Sequence, residues 1–294
     1  MYIITVSLIR RYIQITVEYM KGMTIKEIQF VGLDIMKDIH EFCVRNNIRY
    51  SLAYGSLIGA IRHKGFIPWD DDIDIMMPRP DFERFSREYK SRNGFVLSSV
   101  YNHDTYINYT RVYDNKTIVK SPGKSSTHDY GIWVDIYPID GISDNNVVSK
   151  NQFHRLRHYT ALVMDWRKTL RKKESSNLWV CLKAYLYLIR LWLFNKGDFH
   201  FWHQQICDIC KEHQFGETKR CSSLVCVDAN RKNKQEIFRT ADFNSFELKP
   251  FEDQQFYVVS EYDHVLRTIF GDYMEMPPKE KRISHANLSQ IYRK

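Results

Sequence analysis

Tyr54-Gly55-Ser56-Leu57-Ile58-Gly59, followed sixteen residues after Ser56 by Asp72-Ile73-Asp74-Ile75, is the stretch on which the fold of this chain turns. A Gly-Ser pair opens a short helix, and a strand with alternating carboxylates comes next. Strand side chains alternate faces, so Ile73 and Ile75 point to a core while Asp72 and Asp74 share the opposite face. Two carboxylates held this close repel each other unless a cation lies between them. Mg²⁺ (or Mn²⁺) is the natural occupant, because it takes one or two carboxylates and completes its shell with phosphate oxygens and water. Gly55 lets the backbone approach a phosphate, and the helix that follows presents free N–H groups at its positive end. The same parity in Trp133-Val134-Asp135-Ile136-Tyr137 makes Asp135 the expected third carboxylate. Asp72, Asp74 and Asp135 are therefore the expected catalytic and metal-binding set. Asp70 and Asp71, just ahead of the strand, read as a loop or capping cluster.

Working outward, Thr24 followed by Glu27 forms a capping box, and Ile28, Val31, Ile35, Ile39 and Phe42 recur at helical spacing. An amphipathic helix is expected over 25–45, ended by Asn46-Asn47. Ile48–Tyr54 reads as a strand, Gly55 to Arg62 as a helix, Asp72–Met76 as a strand, and Pro80-Asp81 as the start of a helix reaching Lys90. Phe95–Val100 and Tyr106–Tyr113 read as further strands, and Trp133–Tyr137 as one ending at Pro138. Residues 150–215 have a mostly helical pattern. Gly123-Lys124-Ser125 is not a P-loop, because Ile118 stands where that motif needs glycine. Residues 1–20 alternate like a strand around Ile13, Ile15 and Val17, and either Met20 or Met23 can serve as a later start.

The net charge of +8 is uneven: residues 150–173 hold eight Lys or Arg against the single acid Asp165. Such a block suits an anionic membrane surface or an anionic substrate; a solvated helix face is the plainer alternative. Six cysteines are too few for a disulfide scaffold at this length, and Met1-Tyr2-Ile3 opens no signal-peptide pattern, so a reducing cytoplasmic setting is expected. His203, Cys207, Cys210, Cys221 and Cys226 have spacings that fit buried thiols better than zinc. Leu178–Phe194 is apolar but too short to span a bilayer, and Lys183 and Arg190 interrupt it. A buried core helix is the expectation there; a helix lying in the membrane interface, with Trp179 and Trp192 near its ends, is the alternative.

The run from Tyr54 to Ile75 closely resembles the signature of the LicD-type phosphocholine transferases, related to the fukutin group. Asp135-Ile136-Tyr137-Pro138-Ile139-Asp140-Gly141 is similar to a second block of that family. Tyr262-Asp263, Phe270-Gly271-Asp272-Tyr273-Met274 and Pro277-Pro278-Lys279-Glu280-Lys281-Arg282 with His285 are similar to a third. The resemblance implies an α+β, nucleotidyltransferase-like mixed sheet flanked by helices, with a helical insertion. The expected division is an extension over 1–23, a catalytic core over 24–145, a basic helical insertion over 146–245 and a C-terminal segment over 246–294 that completes the site. It further implies Mg²⁺-dependent transfer of a phospho-substituent, most often phosphocholine, from a CDP-alcohol donor to a hydroxyl of a cell-surface glycan. That acceptor is a lipopolysaccharide, teichoic acid or capsule precursor, free or lipid-linked; no nucleic acid is expected. Gly55, Ser56, Arg62, Lys64 and Arg282 are the expected phosphate and substrate contacts, with His285 near a proton transfer. Rival readings are a nucleotidyltransferase that releases pyrophosphate, an Asp-x-Asp glycosyltransferase, and a membrane-docked structural protein. The expected location is cytoplasmic, with room for a peripheral contact at the inner face of the membrane.

Overall fold

The computed structural model describes residues 22–99, 101, 108–119, 130–173, 177–195, 197–227, 236–284 and 291–294. The strand-like reading around Ile13, Ile15 and Val17, the Gly123-Lys124-Ser125 run and His285 lie outside these residues. Helix α1 (Ile25–Asn46) starts as expected: Glu27 N–H donates to Thr24 Oγ1 at 3.3 Å, and Thr24 N–H donates to Glu27 Oε2 at 2.8 Å. Asn47 ends it in the left-handed region at φ 52°, a conformation asparagine tolerates.

The main sheet runs β1 (Ser51–Leu52), β2 (Ile73–Pro78), β6 (Trp133–Ile142), β4 (Thr110–Tyr113), β3 (Val96–Ser98). β7 (Arg220–Ser222) and β8 (Phe238–Arg239) extend it from the far half of β6. β2 and β6 are parallel and the other pairings antiparallel, so the mixed α+β architecture expected from the sequence is present. α1 and α3 (Arg79–Glu88) cover one face of β2 and β6. Ile73, Ile75, Val134 and Ile136 are fully buried against them. That burial fixes the register, since a one-residue slip would turn every isoleucine outward. Asp74 and Asp135 are direct partners across the parallel pair and therefore share the other face.

Two strand readings are corrected. The first strand is only Ser51–Leu52, because Tyr54 already opens helix α2 (Tyr54–Ile58) with φ 46°. β6 does not stop at Pro138 but continues to Ile142. On its antiparallel side β4 covers Trp133–Ile136 and β7 covers Asp140–Ile142, so Pro138 sits between the two partners. Its missing N–H therefore breaks no bond on that edge.

Helices α4 (Asn146–Lys173), α5 (Leu178–Asn195) and α6 (Phe199–Cys210) follow. Phe153, Leu156, Trp202, Ile206 and Ile209 form a second, smaller apolar cluster separate from the sheet core. α5 overturns the core-helix expectation: it buries Ala184 and Leu191, while Leu178, Leu186, Leu193 and Phe194 stand exposed. The hairpin of β9 (Phe246–Phe251) and β10 (Gln254–Val259) docks on β1, where Val259 N–H donates to Ser51 Oγ at 3.0 Å. α7 (Tyr262–Phe270) leads into the segment that walls the site. β5 (Thr117–Val119) and β11 (Ile291–Arg293) form a separate two-stranded pair.

Candidate active site

The site is a cleft of about 590 Å³ between the α2 turn, the loop before β2 and the segment after α7. Gly55, Arg62, Asp70, Asp72 and Asp74 line one side, and Phe270, Asp272, Tyr273, Glu275 and Met276 the other. The π-helical turn Gly59–His63 continues α2. Such one-turn insertions recur at functional sites, and this one carries Arg62 to the cleft. Arg62 Nη1 donates to Tyr273 O at 2.6 Å and to Glu275 O at 3.3 Å, tying the two walls together. Burial and the neighbouring positive charge of Arg282 both lower the Arg62 pKa, so two guanidinium groups stand close enough to feel each other. Arg282 Nε donates to Pro277 O at 2.8 Å, and its guanidinium lies 5.6 Å from the Trp69 ring centroid. Lys64, expected to meet phosphate, instead ends the π turn in the left-handed region, exposed and outside the cleft lining. The turn folds back there because Glu252 N–H donates to Lys64 O at 2.9 Å.

Asp72 and Asp74 sit together on the cleft side, as their parity requires. Asp74 is the more constrained. Its Oδ1 is shielded from solvent and has no hydrogen-bond partner. Burial first, then the charges of Asp72, Asp135 and Asp70, push its carboxyl far above the ordinary carboxylate range. Burial, then the charges of Asp70, Asp71 and Asp135, raise Asp72 to about 7, and burial with Asp71 raises Asp70 to about 6. Stacked repulsion and an orphaned oxygen in an all-oxygen donor set fit a hard divalent cation, held by Asp72 and Asp74.

Ser56 has a different job from the expected one. Its Oγ accepts the Asp74 N–H at 2.9 Å, so it positions the strand carrying the carboxylates; Ser56 is buried and does not line the cleft. Gly55 is required by a close approach: a Cβ there would stand 2.5 Å from Asp70 Oδ2. Asp70 is thus no mere cap. Its backbone oxygen accepts from Gln29 Nε2 of α1 at 2.7 Å, which sets the loop so that its carboxylate hangs over Gly55. Asp71 turns away and accepts from Ser284 Oγ at 2.8 Å.

Asp135 is on the expected face beside Asp74 but does not line the cleft. It is buried rather than outward-facing, and Arg111 explains why. Arg111 Nε and Nη2 donate to its two oxygens at 2.7 and 3.0 Å, and Trp133 Nε1 donates to Oδ2 at 3.0 Å. The guanidinium lies 4.1 Å from the Trp133 ring centroid, with Tyr130 and Tyr109 at 5.6 and 5.9 Å. Among the described residues, no three of His, Cys, Asp or Glu converge on one metal position. The site is therefore two carboxylates facing the cleft, with Asp70 beside them and Asp135 behind, already paired. The six cysteines form no disulfide; Cys43, Cys210 and Cys221 are buried, while Cys226 is exposed.

Sequence reasoning missed Asp70 as a cleft group, Arg111 and Trp69. The unbroken run Asp70-Asp71-Asp72 was a usable signal for the first. Nothing local marks Arg111, because its partner is brought to it across the β4–β6 ladder, where Arg111 pairs with Asp135.

The raised carboxylates have a consequence for pH. In the unfolded chain Asp70 and Asp72 ionise near 3.9, and in the metal-free fold at about 6 and 7. The fold then binds more protons than the unfolded chain, so its stability falls as pH rises from about 4 towards 8. Melting in chelator should show Tm dropping by several degrees between pH 5 and pH 8, and saturating Mg²⁺ should flatten that slope. A Tm that rises over this range in chelator contradicts the arrangement.

Residues 47–182 match the family model described as LicD/FKTN/FKRP, nucleotidyltransferase domain. The chain is 32% identical over 277 residues to the lipopolysaccharide cholinephosphotransferase LicD of Haemophilus influenzae, covering 90% of this chain and 97% of that one. Shorter matches, 40% identical over 78 and 72 residues, relate about a quarter of the chain to uncharacterized proteins of Rickettsia typhi and Rickettsia prowazekii.

Proposed function

The chain belongs to the LicD/FKTN/FKRP family, and we propose from that premise that it transfers phosphocholine from CDP-choline to a hydroxyl of a cell-surface glycan, such as a lipopolysaccharide precursor. It is a transferase acting on substituted phosphate groups. The observation that carries the finer reading is the Asp72–Asp74 pair at the cleft, with an unbonded Asp74 oxygen, on the same wall as Arg62, which has Arg282 beside it.

Asp72 and Asp74 would hold Mg²⁺ or Mn²⁺, which when bound would supply charge neutralisation for the donor diphosphate. Arg62 holds phosphate oxygens from the cleft wall, Arg282 adds positive charge beside it, and the α2 turn at Gly55 lets the backbone come close. The acceptor oxygen attacks the phosphorus bearing choline, the bond to the CMP oxygen breaks, and the acceptor's proton passes to Asp70. Asp70 suits that role better than Asp135 because it lines the cleft and is not tied up in an arginine pair. Phosphoryl transfer depends mainly on positioning and charge neutralisation, which these groups supply. Trp69, Phe270 and Tyr273 with Asp272 and Glu275 form aromatic and acidic walls suited to a quaternary ammonium, which favours choline over a neutral alcohol. The setting that gives access to both nucleotide donor and lipid-linked acceptor is the cytoplasmic side of the membrane.

The test is turnover by the purified full chain with CDP-choline and a lipid-linked oligosaccharide. CMP and a choline phosphodiester should appear, dependent on divalent cation. Release of pyrophosphate from a nucleoside triphosphate, or of UDP from a sugar donor, with no CMP from CDP-choline, would replace this reading with one of its rivals.

A further inference from the structure

We propose that α5 is a membrane-docking helix that seats the protein on an anionic bilayer surface, independently of the chemistry in the cleft. Among its described residues the helix buries Ala184 and Leu191, seven residues apart and so on one stripe. On the opposite side, Leu178, Trp179, Leu182, Leu186, Ile189 and Leu193 recur at spacings that align them on a single outward face. These six are between 47 and 82% exposed. An ordinary surface helix turns such a stripe inward; a contiguous outward one of this size marks a docking surface.

Charge identifies the occupant. Residues 146–195 hold ten Lys or Arg against two acids, a net of +8, which equals the net charge of the whole chain. The remainder is neutral overall. Lys183 and Arg190, also seven residues apart, are exposed along one flank of the apolar face, where their stems can lie on the bilayer and their charges reach lipid phosphates. A symmetric dimer through α5 would instead bring the Lys183 and Arg190 charges of two copies together, which disfavours a second copy as the cover. Among the described residues, no single helix is long and apolar enough to cross a membrane; α5 passes that test only as a bent pair with α6, and α6 buries Trp202, Ile206 and Ile209 inside the protein, which favours a helix lying in the interface plane.

Flotation of the full chain with phosphatidylcholine vesicles containing about one-quarter phosphatidylglycerol tests this, beside pure phosphatidylcholine vesicles. The expected result is binding to the anionic vesicles, a blue-shifted tryptophan emission, and release or marked weakening at about 0.5 M salt. Leu186→Glu with Leu193→Glu should cut the partition coefficient at least about tenfold, while Leu186→Met with Leu193→Met retains it. Because both side chains are exposed, the glutamate variant should keep the wild-type melting temperature. Lys183→Glu with Arg190→Glu should weaken binding to anionic vesicles and leave neutral ones unchanged. Three outcomes overturn the proposal: no binding to anionic vesicles, equal binding to both vesicle types, or a concentration-dependent dimer abolished by Leu186→Glu with Leu193→Glu in a chain that ignores vesicles.

Discussion

Asp74→Asn should lower CDP-choline turnover about a thousandfold, roughly 4 kcal/mol of lost transition-state stabilisation, while leaving the metal-free fold as stable as the wild type or more so. The two halves of this result have one cause. Asp74 Oδ1 is buried without a partner, and Asp72, Asp135 and Asp70 all raise the cost of ionising its carboxyl. A fold gains nothing from such a group; it is tolerated where a bound cation or substrate uses it. The amide keeps the shape and removes the repulsion, so Tm in chelator should hold or rise by a few degrees. The same substitution should abolish the rise in Tm that saturating Mg²⁺ gives the wild type. Turnover close to wild type would remove Asp74 from the chemistry, and an inactive variant that also melts early would mark it as a packing residue instead.

Arg111→Ala carries the largest expected loss of stability. The substitution removes both hydrogen bonds to Asp135 and the guanidinium packed at 4.1 Å on Trp133. The side chains of Arg111 and Asp135 are only 12% and 10% exposed, so the abandoned carboxylate has little water to turn to. Breaking a buried ion pair on one side costs about 3–5 kcal/mol, on the order of 10 °C in a chain of this size. Turnover should fall as well, because an uncompensated Asp135 would stand in register beside Asp74 and add negative charge where the donor diphosphate must bind. Adding Asp135→Ala to Arg111→Ala should restore part of the stability, giving a coupling of roughly 2 kcal/mol or more by double-mutant cycle. Additive losses would show that the two side chains act separately.

Much of this protein is legible without its structure, and the reason is local periodicity. The Thr24–Glu27 box, the apolar repeat of α1, and the Ile73–Asp74–Ile75 and Val134–Asp135–Ile136 alternations each constrain a few neighbouring residues. Their readings need only the geometry of a helix or a strand. The motif run from Tyr54 to Ile75 brought the family with it. Where the sequence reading went wrong, a distant partner decided. Pro138 reads as a strand end, yet β4 and β7 meet the strand on either side of it. Leu178–Phe194 has the composition of a core helix, yet it packs through one narrow stripe and turns its larger apolar face outward.

The chain's own letters settled the α+β class, the pairing of Asp72 with Asp74 and their common face, because side-chain parity is a property of a strand taken alone. Which acids share the cleft was beyond them. Asp70 enters because Gln29, 41 residues earlier, pins its loop, and Asp135 withdraws because an antiparallel neighbour delivers Arg111 to it. Carboxylates so near one another divide into free and neutralised ones according to which cation arrives, and that depends on contacts made across the sheet.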